Sequence, residues 1–420
     1  MKRKWLYILV FLPAFSSCLE SPEMTTGIVN GKEKPTVRTV KTNPFPNDDG
    51  NLFFQGEVTS TGKAKTTERG FFWSTVSKDS VINGKKIASH TNSDIFTCEL
   101  KGASGGKTYY WRAYAENSYG YDYGEVDSCK TPAIWVEKSY FSSIQGKGVI
   151  FILNKTIYMT CGEYNGGREP TNEIWEYSIE HNHWNRDIDR RFPGNYRINP
   201  VVFTIGDLAF VGTGRYVGIE KDFYQYNGVS NLWTEIAVPD DLEARYEAVA
   251  FSLNGKGYLV GGFSAGRNAL DDVWQYDPEN GSWERKNNFP VNFYGGISIS
   301  DNNRAFAGLS YVASEYARIL WEYNEETDSW DEFAILPDEL AIYDTAISGV
   351  IVQNFIYIVD GNNIIWALNM NDKTWKEKTN LPSIFPKKFQ TLITTGNSNS
   401  VYVGLGFSNY LYEYHPLWDN

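Results

Sequence analysis

Short hydrophobic stretches separated by turn residues make up most of this 420-residue chain. Within many of them hydrophobic and polar positions alternate, which is typical of β-strands with one buried face. In residues 109–117, Tyr109, Trp111, Ala113 and Ala115 fall on one face, whereas Arg112 falls on the other with Glu116. Abundant glycine and aromatic residues (37 Gly, 28 Tyr, 24 Phe and 14 Trp) also favour short strands and tight turns. The pattern predicts an all-β protein.

The first β-rich region covers residues 35–132. Strands are predicted at 52–58, 70–74, 95–100 and 109–117, and turns at 48–51 and around Gly105-Gly106. About seven strands in about 100 residues suit a β-sandwich.

From residue 133 onward the chain repeats one unit. Trp184, Trp233, Trp283, Trp330 and Trp375 are separated by 49, 50, 47 and 45 residues. A further aromatic pattern precedes each of them by nine and seven residues, at Trp175/Tyr177, Tyr224/Tyr226, Trp274/Tyr276, Trp321/Tyr323 and Trp366/Leu368. A repeat of about 50 residues with four short strands is typical of a β-propeller blade.

Counting the units predicts six blades and the way in which the ring closes. A sixth unit begins near Gln390 and reaches Tyr412 and Tyr414, but its tryptophan would fall one position past residue 420. Trp135 lies 49 residues before Trp184. We therefore expect residues 135–140 to supply the outer strand of blade six, which pairs backbone groups that would otherwise form an exposed edge. Ten of the eleven tryptophans from Trp135 onward fit the repeat and are expected to pack between blades; Trp418 does not fit.

The two β-rich regions each resemble a known protein family. Gly261-Gly262 followed by Trp274, Tyr276 and Trp283 resembles the kelch repeat, and this implies a six-bladed kelch-type propeller over residues 133–420. The segment 107–120, with residues 70–74 and 123–125, resembles the fibronectin type III domains of bacterial surface lipoproteins. That resemblance implies a spacer domain in which Tyr109 forms a tyrosine corner. Cys98 and Cys129 could pair, but the sequence does not decide it.

The N-terminus has the order of a secretory signal peptide. Lys2, Arg3 and Lys4 precede the apolar residues 5–15, which are too few to span a bilayer as a helix. Ser16-Ser17-Cys18 resembles a bacterial lipobox, with Phe15 where an aliphatic residue is usual. The resemblance implies a signal peptide over 1–18, lipidation at Cys18, a tether over 19–34 and a lipid-anchored protein of the bacterial envelope. Ordinary cleavage near Cys18 is the alternative.

Charge and composition narrow the classes of partner. The net charge of −12 does not favour nucleic acids or an anionic membrane surface. Four Cys and four His show no metal-ligand spacing, and no nucleotide-binding or nucleophile motif occurs. We expect no metal, no cofactor, no nucleic acid, a membrane contact only through lipid on Cys18, and a monomer.

A ligand site is expected at one mouth of the propeller, where kelch rings gather the loops between second and third strands and the connections between blades. We expect this mouth to bind a glycan or a partner protein, since guanidinium groups suit anions and tyrosine rings suit sugars. The candidate binding residues are Arg168, Arg197, Arg215, Arg245, Arg267, Tyr294 and Tyr343. The alternative is that these arginines pair with Asp and Glu and brace the loops.

An enzymatic role is the second hypothesis for the mouth. Kelch-like sialic acid mutarotases are six-bladed and exported, and an enzyme of this mutarotase or epimerase type would act on an acidic sugar. It needs an acid–base pair, which Glu163 or Glu315 beside an arginine would supply. No catalytic residue is assigned. A copper site such as that of galactose oxidase does not suit the few histidines: His181 and His183 share one turn, and His90 is in the other domain.

Overall fold

The computed structural model describes residues 31–45, 50–143, 145–164, 169–187, 189–310, 318–342, 348–385, 392–395, 399–406 and 408–419. Strands dominate these residues, and the helices among them are two short 3-10 turns, Asp79–Asn83 and Pro416–Trp418. In the described part no helix has the length and apolar character needed to cross a bilayer.

The chain folds as two compact units. The first contains the described residues up to Pro44 with Phe53–Leu100 and Tyr109–Cys129. The second contains Lys130–Asn420, and the loops Phe45–Leu52 and Lys101–Thr108 are grouped with it.

The first unit is built from two packed antiparallel sheets. One sheet has the order Thr36–Val40, Leu52–Ser60, Ile95–Leu100. The other has the order Lys85–Ala88, Thr66–Ser74, Thr108–Asn117, Gly120–Tyr123, with Asp127–Lys130 also paired to Thr108–Asn117. Rings from both sheets meet between them: Phe54 stacks on Trp111 at 4.7 Å between ring centroids, and Phe71 lies 5.3 Å from Phe96. This is the predicted sandwich.

Two further expectations for the first unit concern the role of Tyr109 and the pairing of Cys98 with Cys129. Tyr109 is buried beside Trp73, with 5.6 Å between ring centroids, and its role as a tyrosine corner stays a prediction. Cys98 and Cys129 are free thiols rather than a disulfide. Burial raises the pKa of Cys98 to about 11, so the thiol is protonated at neutral pH.

Within the described ranges the second unit contains six antiparallel blades of four strands each, and in blade three a fifth short strand joins the sheet. From the inner strand outward, blade one is Val149–Leu153, Thr156–Thr160, Ile174–Ser178, His183–Asp187; blade two is Val201–Ile205, Leu208–Gly212, Phe223–Asn227, Leu232–Ile236; and blade three is Val249–Leu253, Lys256–Ser264, Ala269–Asp277, Ser282–Lys286. Blade four is Ile297–Ser300, Ala305–Gly308, Ile319–Asn324, Ser329–Ile335; blade five is Ser348–Val352, Phe355–Val359, Ile365–Asn369, Trp375–Glu377; and blade six is Leu392–Thr395, Val401–Gly404, Leu411–Tyr414, Trp135–Glu137.

Short strands at the blade ends complete the topology. Gln145–Gly146, Glu163–Tyr164 and Glu169–Pro170 form a small sheet beside blade one. Arg245–Tyr246 pairs with the end of the second strand of blade three.

The ring closes as predicted. The inner strands of successive blades are neighbours, and the inner strand of blade six returns to that of blade one. Trp135–Glu137 pairs with the third strand of blade six, with Trp135 opposite Tyr414 and their rings 4.6 Å apart. Lys138 continues this edge with an ion pair of 2.6 Å to Glu413. The prediction of a six-bladed propeller closed by the strand at Trp135 is confirmed.

Aromatic residues of the repeat fill the spaces between neighbouring blades. Between blades three and four, Phe251 stacks on Tyr258 at 4.9 Å, and Tyr258 lies 5.2 Å from Tyr323, which in turn lies 4.9 Å from Trp330. In blades one, two and four the hydroxyl of the repeat tyrosine donates to an acceptor five residues later, as Tyr323 does to Asp328 at 2.8 Å. These tryptophans therefore belong to the core of the propeller, as expected from their spacing.

The C-terminal residues are held in place by ring contacts and hydrogen bonds of the same kind. Trp418 is 2% exposed, and its ring meets that of Phe45 edge-on at 5.4 Å. Asp419 accepts hydrogen bonds from Tyr414 Oη at 2.7 Å and from the Thr379 hydroxyl at 2.6 Å. Blade six thus keeps the tyrosine-to-acceptor bond although its outer strand comes from Trp135–Glu137.

Candidate functional site

Connections between blades form the rim of one propeller mouth. Asn199 donates its backbone N–H to Lys147 O at 2.7 Å, Glu247 donates to Asn199 O at 3.4 Å, and Gly295 donates to Glu247 O at 2.9 Å. All four residues have left-handed φ angles, between 52° and 66°. This repeated bond holds the loops of blades one to four in a fixed order around the mouth.

The central channel behind this rim has an uncharged wall of apolar and hydroxyl-bearing side chains. It encloses about 220 Å³ and is lined by the inner strands of blades one to five. Its lining residues are Ile150–Ile152, Val202–Thr204, Ala250–Ser252, Ser298–Ser300 and Gly349–Ile351. Since none of these carries an ionisable side chain, this part of the channel does not supply an acid–base group.

Two of the candidate arginines, Arg197 and Arg245, lie in the protein interior with 0% exposure. Arg197 forms a two-pronged ion pair with Asp222 at 2.6 and 3.0 Å and donates to Thr213 O at 3.0 Å. Arg245 forms the same pair with Asp272 at 2.6 and 2.7 Å.

Both guanidinium groups therefore brace loops rather than line an open mouth. Burial disfavours the charge of Arg197, but the hydrogen bonds to Asp222 and the negative charge of Asp222 together outweigh burial and raise the pKa of Arg197. Burial likewise opposes ionisation of Asp272, and the hydrogen bonds and positive charge of Arg245, with further contributions from Trp274 and Arg285, together lower the pKa of that carboxyl. The expectation that Arg197 and Arg245 contact a ligand does not fit this burial, and the contacts match the bracing alternative.

Arg215 and Arg267 are exposed instead and line one cleft at the mouth ends of blades two and three. The cleft encloses about 370 Å³. Its lining residues are Arg215–Ile219, Tyr246, Phe263–Ala265 and Arg267. We call it the Arg215–Arg267 cleft.

Aromatic rings form one wall of this cleft. The Arg215 guanidinium lies 4.1 Å from the centroid of Tyr246, a cation–π contact that holds the charge over the ring. Tyr246 lies 5.6 Å from Phe263, and Phe263 lies 5.0 Å from Tyr294. The candidate Tyr294 thus extends the aromatic row that begins in the cleft.

The polar groups of the cleft are available to a ligand. Within the described ranges neither Arg215 nor Arg267 has an ion-pair partner. Ser264 is 2% exposed, lines the cleft, and its buried hydroxyl has no hydrogen-bond partner. Two unpaired guanidinium groups and an unsatisfied hydroxyl beside aromatic rings favour an anionic ligand with a ring face.

Sequence reasoning missed Tyr246, Phe263 and Ser264. Tyr246 and Phe263 each follow a residue that the repeat pattern marks, since Tyr246 follows Arg245 and Phe263 follows Gly262. Ser264 is one position further along the chain. Pairing of Arg245–Tyr246 with the end of the second strand brings them together. Reading the neighbours of the repeat positions would have found them.

The remaining candidates are placed as follows. Arg168, Tyr343, Glu315 and Cys18 lie outside the described residues. Glu163 is 5% exposed, and the ion-pair partner that the structure gives it is Lys147 at 2.7 Å. In the described part of the chain no cluster of three His, Cys, Asp or Glu side chains is placed to hold a metal ion.

Comparisons with known proteins agree with the propeller. Residues 244–290 match the Kelch motif. Two F-box/kelch-repeat proteins of Arabidopsis thaliana are similar to this chain, one 25% identical over 39% of it and the other 30% identical over 26% of it. An N-acetylneuraminate epimerase of Yersinia enterocolitica is 37% identical over 100 residues, or 20% of this chain. The matched parts are 44%, 29% and 24% of these relatives, so the chain spans less than half of their length.

A solved structure supports the same fold. The structure of YjhT aligns with a TM-score of 0.50 at 14% identity, over 65% of this chain and 95% of that chain. This chain therefore has kelch repeats arranged as a kelch-type propeller.

Proposed function

We propose that the propeller binds an acidic glycan in the Arg215–Arg267 cleft. The observation that carries the proposal is the convergence of two exposed guanidinium groups, without ion-pair partners in the described residues, on a cleft walled by Tyr246 and Phe263. Guanidinium forks bind carboxylate or sulfate groups, and aromatic faces pack against sugar rings. The cleft volume is also within the range of small-ligand sites.

Binding fits the lining of this cleft better than catalysis does. Among Arg215–Ile219, Tyr246, Phe263–Ala265 and Arg267 there is no Asp, Glu or His. A sugar-isomerising reaction needs a group that exchanges a proton near neutral pH, and none of these side chains is a carboxylate or an imidazole.

We further propose that the protein is exported and anchored to the bacterial envelope through lipid on Cys18, with the sandwich as a spacer. The support is the order of charged, apolar and small residues before Cys18. Labelling of the expressed protein with a fatty-acid analogue, lost in Cys18→Ser, is the expected result; equal labelling of both would refute the anchor.

The binding proposal is tested by screening the purified protein on an array of carboxylated, sulfated and neutral glycans. We expect hits among acidic glycans that Arg215→Gln and Arg267→Gln each weaken by about tenfold, the loss of one charge-assisted bond. Arg38→Gln, an exposed arginine of the first unit, is the matched control and should bind normally. Unchanged binding in the double variant, or capture of a partner protein with no glycan hit, would refute the proposal.

An epimerase-type enzyme acting on an acidic sugar is the second candidate, and the observation that favours it is the 37% identity to an N-acetylneuraminate epimerase. Proton NMR of an acidic sugar with the protein tests it directly. Faster exchange between isomers, dependent on protein concentration, would support the enzyme; an unchanged exchange rate would leave binding as the function.

A further inference from the structure

In its described residues, blade one lacks the arginine brace that blades two and three share. In blade three Arg245 pairs in register with Ser264, and in blade one Gln145 pairs with Tyr164 at the same place in the ladder. Gln145 Nε2 donates to Cys161 O, as Arg245 Nη1 donates to Gly261 O at 2.9 Å. Gln145 thus keeps the bond to the loop carbonyl but has no fork for a carboxylate.

The carboxylate of the brace is nevertheless present in blade one, as Glu173. It stands two residues before Trp175, as Asp272 stands two residues before Trp274. Gln145 is fully buried, and its Oε1 has no hydrogen-bond partner. Because Gln145 has no guanidinium group, it cannot form with Glu173 the two-pronged ion pair by which Arg245 holds Asp272 in the interior.

Glu173 instead lines an open cleft beside blade one. It accepts a hydrogen bond from Tyr164 Oη and lies 3.4 Å from Arg186 and 3.6 Å from Arg191. The Arg186 guanidinium lies 5.5 Å from the centroid of Trp175, whose indole N–H donates to Tyr164 Oη at 3.5 Å. The carboxylate is therefore the centre of a hydrogen-bonded group at the cleft wall.

The cleft that Glu173 lines is large enough for a small ligand and has both aromatic and polar lining residues. It encloses about 460 Å³ and is lined by Tyr140, Ser142, Ser143, Tyr164, Glu173, Trp175, Arg186 and Asn409. Tyr140 is 60% exposed and meets Tyr410 edge-on at 5.8 Å. We call this cavity the Glu173 cleft.

We propose that the Glu173 cleft binds the neutral pyranose ring of a carbohydrate. Exposed tyrosine supplies a face for the apolar side of a sugar ring. A carboxylate, a guanidinium, an amide and hydroxyl groups around it match the paired hydroxyls of a pyranose, which donate and accept at once. The volume suits a ligand of this size.

The Glu173 cleft differs from the Arg215–Arg267 cleft in the charge of its lining residues. Among the residues that line the Glu173 cleft, Glu173 carries the negative charge and Arg186 the positive charge, and the two form an ion pair of 3.4 Å. Arg215 and Arg267, in contrast, have no ion-pair partner in the described chain. A balanced lining does not favour a strongly charged ligand, so the ligand class is neutral. The inference does not rest on the proposed binding of acidic glycans.

The test uses the full chain labelled with ¹⁵N-tryptophan, titrated with glucose, galactose, mannose, N-acetylglucosamine and their neutral disaccharides. We expect a saturable shift of the Trp175 indole resonance, assigned with Trp175→Phe. Tyr140→Ala and Glu173→Gln should each raise the dissociation constant by about tenfold. Tyr140 is exposed, so this variant remains informative even if Glu173→Gln folds poorly.

Gln145→Arg is the most specific variant. It supplies the missing fork, so it should draw Glu173 into the brace of blades two and three, raise the urea midpoint and abolish sugar binding. Arg38→Gln, at an exposed arginine of the first unit, is the control and should leave neutral-sugar binding unchanged whether or not acidic glycans bind. No shift with any neutral sugar, a shift with acidic sugars only, or unaltered binding by Tyr140→Ala and Gln145→Arg would overturn the proposal.

Discussion

Arg245 and Asp272 are joined in the interior of blade three by two parallel hydrogen bonds of 2.6 and 2.7 Å. The same pair is repeated one blade earlier by Arg197 and Asp222. Each arginine belongs to the connection before its blade. Asp222 directly precedes the third strand of blade two, and Asp272 lies within the third strand of blade three. The pair therefore ties an incoming loop to the sheet that follows it.

Removing one partner of this pair should be costly. We expect Arg245→Met to lower the free energy of unfolding by about 3–5 kcal/mol, because Asp272 would be left as a buried charge without its cationic partner. Urea denaturation measures the loss. Arg267→Met, at an exposed position, should change it by about 0.5 kcal/mol or less. Equal effects of the two variants would contradict the bracing role.

Binding of an acidic glycan should depend on salt. Arg215 and Arg267 are exposed, so their attraction for an anion is screened as ionic strength rises. We expect the dissociation constant to increase between 0.05 and 0.5 M NaCl, and to increase less in Arg215→Gln. Isothermal titration at several salt concentrations measures both slopes. A salt-independent affinity would mean that the guanidinium charges do not contribute.

Acid should weaken the strand that closes the ring. Burial opposes ionisation of Glu413, but hydrogen bonds from His415, Lys138 and Ser400 outweigh it and lower its pKa from 4.5 to about 2. A carboxyl with a lowered pKa in the folded state contributes stability that is full above pH 4.5 and is lost as the pH falls towards 2. The contribution is on the order of 2–3 kcal/mol.

Comparison of the wild type with Glu413→Gln isolates this group. The difference in free energy of unfolding between them should be largest near pH 6 and should shrink steadily between pH 4.5 and 2. A difference that stays constant with pH would show that Glu413 titrates normally.

The closing strand should depend on its tryptophan. Trp135→Ala removes a ring that packs 4.6 Å from Tyr414 and 6.2 Å from Tyr412. We expect a loss of about 2–4 kcal/mol, measured by urea denaturation. Leu232→Ala, on the outer strand of blade two and 65% exposed, should cost little. A similar loss from both would argue against a special role for the closure.

The fold was predictable because it depends on spacing. Five tryptophans mark blades at intervals of 45 to 50 residues, namely Trp184, Trp233, Trp283, Trp330 and Trp375. Trp135 falls one interval before the first of them. Aromatic residues at fixed spacing pack between blades whatever the loops contain. The count of six and the closing strand follow from those positions alone.

The site was harder to predict because it depends on which partner each arginine finds. Arg197 and Arg215 looked alike as loop arginines, but Asp222 lies 25 residues after Arg197 and pairs with it in the interior. Arg215 has no such acid and stays at the surface. Comparing the blades at the position two residues before each third-strand aromatic would have revealed Asp222, Asp272 and Glu173 together.

The closing strand also sets the order in which the molecule can be completed. Glu137 and Tyr412 share a hydrogen bond across 275 residues of chain. During synthesis Trp135–Glu137 emerges early and waits without its ladder partner until Leu411–Tyr414 has been made. The intermediate blades are able to form one by one, but the circle acquires its full cooperativity only at the final step. A chain that ends before Leu411 therefore lacks the ladder through which Trp135–Glu137 joins blade six.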